Sequence, residues 1–241
     1  FTFEDETIRL RLLGSDDPDN MFGGSGDDTL TGGLGDDTLT GRGGDDLFVF
    51  EGRDVGVDLV TDFTPGDVIG LDATLTANPS ASGDDAEVLL IEDGNVPGNG
   101  VYWLDARLGP DDGTTNDWDV FVFDRESVLG GRDADLYEGT PDGADFLRAV
   151  SAFTEDGGVR NPGLLRVDGP SVDSFYVVTS ASADPEDPDA RIDSFLFHLF
   201  DANDDDEIRQ DEIELIARFE DADLNGLTAQ NVLMLGADLI V

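Results

Sequence analysis

Residues 23–50 read GGSGDDTLTGGLGDDTLTGRGGDDLFVF, and they repeat one nine-residue unit three times. The copies are GGSGDDTLT at 23–31, GGLGDDTLT at 32–40 and GRGGDDLFV at 41–49. A weaker copy, GSDDPDNMF, precedes them at 14–22 in the same frame. A short fixed period indicates an architecture in which each unit packs against its neighbours, so it predicts the fold of this stretch before any single strand is assigned.

Each unit combines a glycine-rich half, an aspartate at position six and an apolar residue at position eight. Glycine adopts positive φ at low cost, so the first half can turn tightly and leave carbonyl groups accessible. The residues around position eight suit a short strand with one side chain inward and its neighbours outward. Stacked turns bring carboxylate and carbonyl oxygens together, which suits a hard cation such as calcium. The aspartates are Asp19, Asp28, Asp37 and Asp46, and the apolar residues are Met21, Leu30, Leu39 and Phe48.

These units resemble the RTX nonapeptide family, whose pattern is G-G-x-G-x-D-x-U-x with U apolar. The second and third of the four copies match every defined position. In the last copy Arg42 replaces the second glycine, and the first copy keeps Gly14, Asp19 and Met21. A flexible glycine-rich linker is the alternative, but it gives no reason for an apolar residue at every ninth position.

The resemblance implies a short parallel β-roll that binds calcium between turns two repeats apart. With four copies, turn 14–22 pairs with turn 32–40, and turn 23–31 pairs with turn 41–49. The residues that this resemblance implies as ligands are Gly24, Gly26, Asp28, Gly33, Gly35, Asp37, Gly44, Asp46 and Asp19.

The charge of the chain is extreme, with a formal net charge of −43 from 56 acidic and 13 basic residues. Nucleic-acid binding is excluded because phosphate contacts need a basic face, and binding to an anionic membrane is disfavoured for the same reason. Cation ligation and an acidic, halophilic-type surface both account for the charge, and both remain open. The chain has no cysteine, so disulfides and thiolate metal sites are ruled out. No apolar run approaches the roughly 20 residues of a membrane span.

A second acidic stretch, DANDDDEIRQDE at 201–212, resembles the calcium loop of an EF-hand. Apolar spacing predicts amphipathic helices on both sides, at 190–200 and 211–220. The loop departs from the pattern at Asp206, where glycine is expected. The ligands that the resemblance implies are Asp201, Asn203, Asp205, the carbonyl of Glu207, and Glu212. The stretch 221–232 partly repeats the pattern but has Val232 at position twelve, so a metal site and a simple turn both stay open.

Between these regions the pattern predicts mostly strands. Two strands, 57–63 and 67–71, flank the turn Thr64-Pro65-Gly66. This segment is similar to the one that closes serralysin-type β-rolls, so Asp62 and Asp67 are either ligands of a cap or surface acids. Further predicted elements are strands at 87–93 and 174–180, a hairpin of 101–108 with 117–124, with Trp103 and Trp118 in a β-core, and a helix at 142–158.

The expected fold class is therefore mainly β: a short parallel β-roll, a β-rich domain, and a small C-terminal helical EF-hand-like unit. The expected domains are residues 1–71, 72–182 and 183–241. The chain starts at Phe1 without a signal-peptide pattern, so we expect a fragment or a processed product. Its last four residues, Asp238-Leu239-Ile240-Val241, resemble the C-terminal signature of serralysin-type proteins, which implies type I secretion. A final buried strand or helix end is the alternative.

The sequence favours a binding protein over an enzyme without settling the choice. It has no HExxH motif, no cysteine and no lysine, and its one histidine, His198, lies in an apolar run typical of a packed core. We expect a secreted, calcium-dependent folding and secretion region of an extracellular RTX protein. Its expected partners are the type I secretion machinery and either an upstream domain or a cell-surface partner. The alternatives are a hydrolase or lyase with an acidic pair in 72–180, and a calcium-stiffened adhesin or surface-layer module.

Overall fold

The computed structural model describes residues 8–52, 56–72, 88–91, 103–105, 120–123, 141–150, 165–168, 174–182, 189–202 and 207–236. Within these residues the chain forms sixteen strands, one α-helix and two single-turn 3-10 helices. The protein is mainly β, as the sequence predicts.

The first seven strands are short, and the first five of them start nine residues apart. They are β1 Arg11–Leu13, β2 Asn20–Phe22, β3 Thr29–Thr31, β4 Thr38–Thr40, β5 Leu47–Phe50, β6 Asp58–Val60 and β7 Val68–Asp72. Each is only three to five residues long, because the glycine-rich half of each unit turns the chain before a longer strand can form.

Helix α1 spans Gly143–Val150, and nine strands complete the described chain. These are β8 Val88–Ile91, β9 Trp103–Asp105, β10 Val120–Phe123, β11 Leu165–Asp168, β12 Ser174–Ser182, β13 Ile192–Phe200, β14 Glu207–Ile208, β15 Ile213–Phe219 and β16 Val232–Leu235. The 3-10 turns are Gln210–Glu212 and Ala229–Asn231.

Consecutive strands of the repeat region alternate between two parallel sheets, so each strand pairs with the strand two units further along. Strand β2 pairs with β4, which aligns Met21 with Leu39, and β3 pairs with β5, which aligns Leu30 with Phe48. This is a parallel β-roll, and the predicted pairing of turns two repeats apart is confirmed.

The apolar residues at position eight form the interior of the roll. Leu30, Leu39 and Phe48 are fully buried. Val60 in β6 continues the row of Leu39, and Ile69 in β7 continues the row of Phe48 in the other sheet; both are fully buried. Burying such side chains supplies about 25 cal/mol per Å² of apolar surface, which is the main favourable term available to these short strands.

The C-terminal segment adds a strand to each sheet of the roll. Strand β15 pairs in parallel with β6, and β16 pairs in parallel with β7. The sheet orders are β1-β3-β5-β7-β16 and β2-β4-β6-β15-β13-β12-β10-β8, with a small third sheet β14-β11-β9. Strands from the predicted third domain thus extend the sheets of the first, while the three domain boundaries remain a prediction.

The two helices predicted around the acidic loop at 201–212 are wrong. Residues 192–200 and 213–219 are strands β13 and β15, which pair antiparallel. Strand β13 lies inside the eight-stranded sheet and buries both faces, so its apolar residues are not confined to one stripe. A buried apolar run of this kind gives no reliable period, and its aromatic residues favour a strand. The helical EF-hand unit is therefore absent from the described residues.

The predicted hairpin of 101–108 with 117–124 is also wrong. Strand β9 pairs in parallel with β11, whereas β10 pairs in parallel with β8 and β12 in another sheet. The predicted strands at 87–93 and 174–180 are confirmed as β8 and β12, and the predicted helix begins at Gly143. Residues 151–158 of that helix and Trp118 lie outside the described residues.

His198 is fully buried on β13, between the rings of Tyr176 and Phe200, as expected of a core residue. No helix in the described part of the chain is long and apolar enough to cross a membrane.

Candidate metal centre

The glycine-rich halves of alternate units stack directly on one another. The N–H of Leu34 donates a 3.0 Å hydrogen bond to the carbonyl of Ser15, and the N–H of Gly43 donates a 3.3 Å bond to the carbonyl of Gly24. These contacts join loop 14–19 to loop 32–37 and loop 23–28 to loop 41–46. The loops therefore form two columns, one on each side of the roll.

An aspartate ladder runs along each column. Oδ1 of Asp37 accepts a 2.7 Å hydrogen bond from the N–H of Asp19, and Oδ1 of Asp46 accepts a 2.7 Å bond from the N–H of Asp28. The position-six aspartate of one turn is thus fixed to the position-six backbone of the turn two units earlier. The ladder places carboxylates of successive turns beside each other.

The second carboxylate oxygen of each aspartate faces its own loop. Oδ2 of Asp28 accepts from the N–H of Gly24, and Oδ2 of Asp19 accepts from the N–H of Ser15 at 2.8 Å. Oδ2 of Asp37 differs, because it is buried and has no hydrogen-bond partner. A buried carboxylate oxygen without a partner is costly, and a cation would satisfy it.

Burial and like charge raise the pKa values of two ladder carboxylates, Asp37 and Asp46. Asp28, Asp37 and Asp46 are at most 2% exposed. Burial is the main cause that raises the pKa of Asp37. Burial, followed by the nearby carboxylates of Asp67, Asp28 and Asp62, raises the pKa of Asp46 to about 6. These carboxylates need either protons or a bound cation to lie this close together.

The stacked loops leave no room for side chains at certain glycines. Gly44 has a φ of +117°, and a Cβ on it would lie 2.5 Å from the carbonyl oxygen of Gly26. Gly33 and Gly35 also have positive φ. At Arg42 the chain keeps a φ of 75° despite the side chain, and the guanidinium donates a 3.1 Å bond to the carbonyl of Gly23.

The family model of the RTX calcium-binding nonapeptide repeat, in four copies, matches residues 13–48. Residues 13–48 are a block of RTX calcium-binding repeats. The match spans the loops and ladder described above, so calcium is the cation of the RTX block, and its donor set of carboxylate and carbonyl oxygens fits that ion. No curated protein and no solved structure matches the chain.

The RTX block brings together the ligands that the resemblance implied in pairs of turns, although their coordination of calcium remains a prediction. One column contains Asp19, Gly33, Gly35 and Asp37, and the other contains Gly24, Gly26, Asp28, Gly44 and Asp46. Among the residues that the structure describes, no three acidic or histidine side chains converge on one point. Backbone carbonyls must therefore supply most of the ligands at each site.

The acidic loop at 201–212 connects two strands. Glu212 is buried, and its two oxygens accept hydrogen bonds from the N–H groups of Ala202 at 3.1 Å and Arg209 at 2.9 Å. Asp201 lies at the end of β13. Asn203 and Asp205 lie outside the described residues, as does the side chain of Glu207. Calcium binding by this loop remains a prediction.

Two aspartates beyond the RTX block occupy the same place as the position-six aspartates. Oδ1 of Asp58 accepts from the N–H of Asp37 at 3.1 Å, and Oδ1 of Asp67 accepts from the N–H of Asp46 at 2.8 Å. Asp58 is not among the site residues predicted from the sequence. The signal was present, because Asp58 and Asp67 are nine residues apart and each precedes a buried apolar residue by two positions.

Asp62 occupies a different place from the ladder aspartates. Its two oxygens accept hydrogen bonds from the N–H groups of Gly41 at 2.9 Å and Arg42 at 2.7 Å. It therefore caps loop 41–46, the loop of the last matched repeat, from the turn that ends at Asp67. Metal binding by Asp62 and Asp67 remains a prediction.

Proposed function

We propose that this chain is the calcium-dependent folding and secretion region of an extracellular RTX protein that is exported by type I secretion. The observation that carries the proposal is the aspartate ladder of the RTX block, which holds buried carboxylates side by side in a chain of net charge −43. Such an arrangement is stable with calcium and self-repelling without it.

The ladder links folding to the calcium concentration. In a low-calcium cytosol, like charges oppose the stacking of the loops, and strands of three residues bury too little surface to offset chain entropy. Outside the cell, calcium near ~10⁻³ M fills sites with the ~10⁻⁴–10⁻³ M affinity of extracellular modules. A ligand that binds only the folded state then stabilises that state by mass action.

Folding of the roll extends to the rest of the described chain through shared sheets. Strand β6 of the roll is hydrogen-bonded to β15, which pairs with β13 of the same eight-stranded sheet. The C-terminal strands β15 and β16 therefore need a folded roll, because they pair with its strands β6 and β7. This supports a role in folding and presenting other parts of an RTX protein.

A calcium titration of the full chain, followed by far-UV circular dichroism, tests the proposal. We expect strand signal to appear near millimolar calcium, and no comparable change with equal magnesium or with molar NaCl. If NaCl alone folds the chain as well as calcium does, the acidity of the chain is a salt adaptation. The proposed role as a calcium-dependent folding region is then refuted.

Export is tested separately in a bacterial host that carries a type I exporter. We expect the full chain in the medium, and retention in the cells when Asp238-Leu239-Ile240-Val241 is deleted. Equal export of both chains would contradict the secretion part of the proposal and leave calcium binding intact.

A further inference from the structure

We propose that the cavity between segment 63–65 of the roll and loop 221–231 binds a small organic ammonium ion with an apolar body. The volume of this junction cavity is about 320 Å³. That volume is near the lower limit of ligand pockets in proteins, so it suits a small molecule. The cavity lies outside the matched repeats at 13–48, so this site goes beyond the proposed calcium function.

Hydrogen bonds hold the walls of the junction cavity in place. Nδ2 of Asn231 donates to the carbonyls of Pro65 at 3.0 Å and Asp67 at 3.3 Å, which joins the two walls. The N–H of Leu224 donates a 3.0 Å bond to Oγ of the buried Ser194, which fixes loop 221–231 to β13. The cavity is therefore formed before a ligand enters, and binding requires little ordering of the protein.

The inner part of the junction cavity is apolar. Ala222, Leu224 and Leu227 are at most 8% exposed and belong to the core. The half-buried side chain of Phe63 packs against that core and lines the cavity. A Cβ on Gly226 would meet no atom within 4 Å, so open space lies beside this part of the loop. An apolar group that enters the cavity leaves water, which favours its binding.

Two carboxylates lie at the rim of the junction cavity. Asp221 and Asp223 line it and are exposed. Oδ1 of Asp223 accepts a 3.1 Å bond from the N–H of Asn225, and no arginine of the described chain forms an ion pair with either aspartate. Both carboxylates are therefore available to a positive charge. The net charge of −43 attracts cations to this rim and repels anions.

The apolar interior favours an organic cation over a metal ion. A hard cation such as calcium takes roughly six to eight oxygen ligands, whereas Phe63, Leu224 and Leu227 present carbon atoms to the cavity. Exposed carboxylates beside an apolar interior match a molecule with an ammonium group at one end and an apolar group at the other. The ammonium group would stay at the rim, and the apolar group would fill the interior.

The rim charge can be removed without changing the loop. Asp221 has a φ of 54°, and its N–H donates a 2.9 Å bond to Oδ1 of the buried Asp193. Asparagine adopts this left-handed conformation as aspartate does, so Asp221→Asn keeps the backbone. Asp223→Asn keeps an oxygen for the N–H of Asn225. Asp211→Asn is the matched control, because Asp211 is an exposed acid that does not line the junction cavity.

An NMR titration of the ¹⁵N-labelled full chain with 2-phenylethylamine, in saturating calcium, tests the site. We expect saturable shifts of the amide signals of Ala222, Gly226 and Leu227. Asp221→Asn and Asp223→Asn are each expected to raise the Kd by about twofold to fivefold, and Asp211→Asn to leave it unchanged.

Two analogues separate the contributions of charge and apolar surface. 2-Phenylethanol keeps the ring without the charge, and we expect it to bind at least about twofold more weakly than 2-phenylethylamine. Ethylamine keeps the charge without the ring, and we expect no saturable shift of the same three amide signals.

Four results would overturn the site and leave the calcium function of the repeats intact. The first is the absence of saturable shifts with 2-phenylethylamine. Equal affinity for 2-phenylethanol would indicate a neutral apolar cleft, and equal affinity for ethylamine would indicate non-specific cation binding by an acidic chain. Shifts of the same signals with protein concentration alone would show that a second copy of the chain occupies the cavity.

Discussion

The ring of Phe63 meets the ring of Phe219 edge to face, with 5.2 Å between their centroids and 82° between their planes. Phe63 lies between β6 and the Pro65-Gly66 turn, and Phe219 is the last residue of β15. The ring of Phe50 also lies near the ring of Phe219, with 6.0 Å between their centroids. The roll and the C-terminal segment therefore share one core, and they are expected to unfold together.

Phe219→Ala tests that shared core. Phe219 is fully buried, so its truncation is expected to lower the free energy of unfolding by about 3–5 kcal/mol. Urea denaturation in saturating calcium measures it. Phe22→Ala is the control: Phe22 is 52% exposed and lies near Arg42, so the cost is about 1 kcal/mol or less. Equal costs for the two variants would contradict the shared core.

Adjacent glycines give a test of the stacked loops. Gly44→Ala adds a Cβ where φ is +117° and the carbonyl of Gly26 lies 2.5 Å away, so we expect calcium-dependent folding to shift to higher calcium or to fail. Gly43→Ala meets only Ser25, at 3.9 Å, and is expected to fold at nearly the wild-type calcium concentration. Circular dichroism during the titration measures both. An equal response to Gly44→Ala and Gly43→Ala would contradict the stacking of the loops.

Without calcium, the folded fraction of the chain is expected to fall as pH rises from 5 to 8. The pKa values of Asp46 and Asp58, about 6 and about 7 in the fold, lie above their ordinary value of 3.8. The folded form therefore binds more protons than the unfolded form in this window, and that stability is lost as pH rises through the folded pKa values. Far-UV circular dichroism in a calcium chelator measures the slope of that fraction with pH.

Calcium is expected to flatten this pH dependence. Calcium competes with protons for the same carboxylates, so the gain in strand signal on adding calcium grows from pH 5 to pH 8. Asp58→Asn is expected to flatten the slope in chelator, because one titrating group is gone. A calcium-induced gain that is equal at both pH values would contradict the role of the ladder as the binding site.

Substitutions of Glu212 and Glu220 give a matched comparison that tests what holds the loop at 201–212. Glu212 is buried and accepts two backbone hydrogen bonds, so Glu212→Ala is expected to lower the free energy of unfolding by about 1.5–3 kcal/mol. Glu220 forms a surface ion pair with Arg191, so Glu220→Ala is expected to cost about 1 kcal/mol or less. Chemical denaturation in saturating calcium compares them. Equal costs would show that the carboxylate of Glu212 does not hold the loop.

The roll could be predicted from sequence because every determinant of it is local and periodic. Asp28 and Leu30 recur as Asp37 and Leu39 nine residues later, so the stacking of turns follows from the period. Asp58 was missed because the three inserted residues break the frame, although its spacing from Asp67 restores it.

The C-terminal part could not be predicted because its structure depends on distant pairing. The local spacing of β13 predicts a helix face, but the segment pairs with β12 and β15 inside a sheet, and residues on both of its faces are buried. Ala217 pairs with Asp58 across most of the chain, and no local pattern specifies such a contact. The acidic loop looks like an EF-hand in residue types, yet strands flank it, and strands orient a loop differently from helices.

The most direct test of the central claim is a crystal structure of the full chain grown in calcium, with anomalous scattering used to locate the ions. We expect calcium between loops 14–19 and 32–37, and between loops 23–28 and 41–46, with Asp37 and Asp46 among the ligands. Folded loops at saturating calcium with no ion at either place would contradict it.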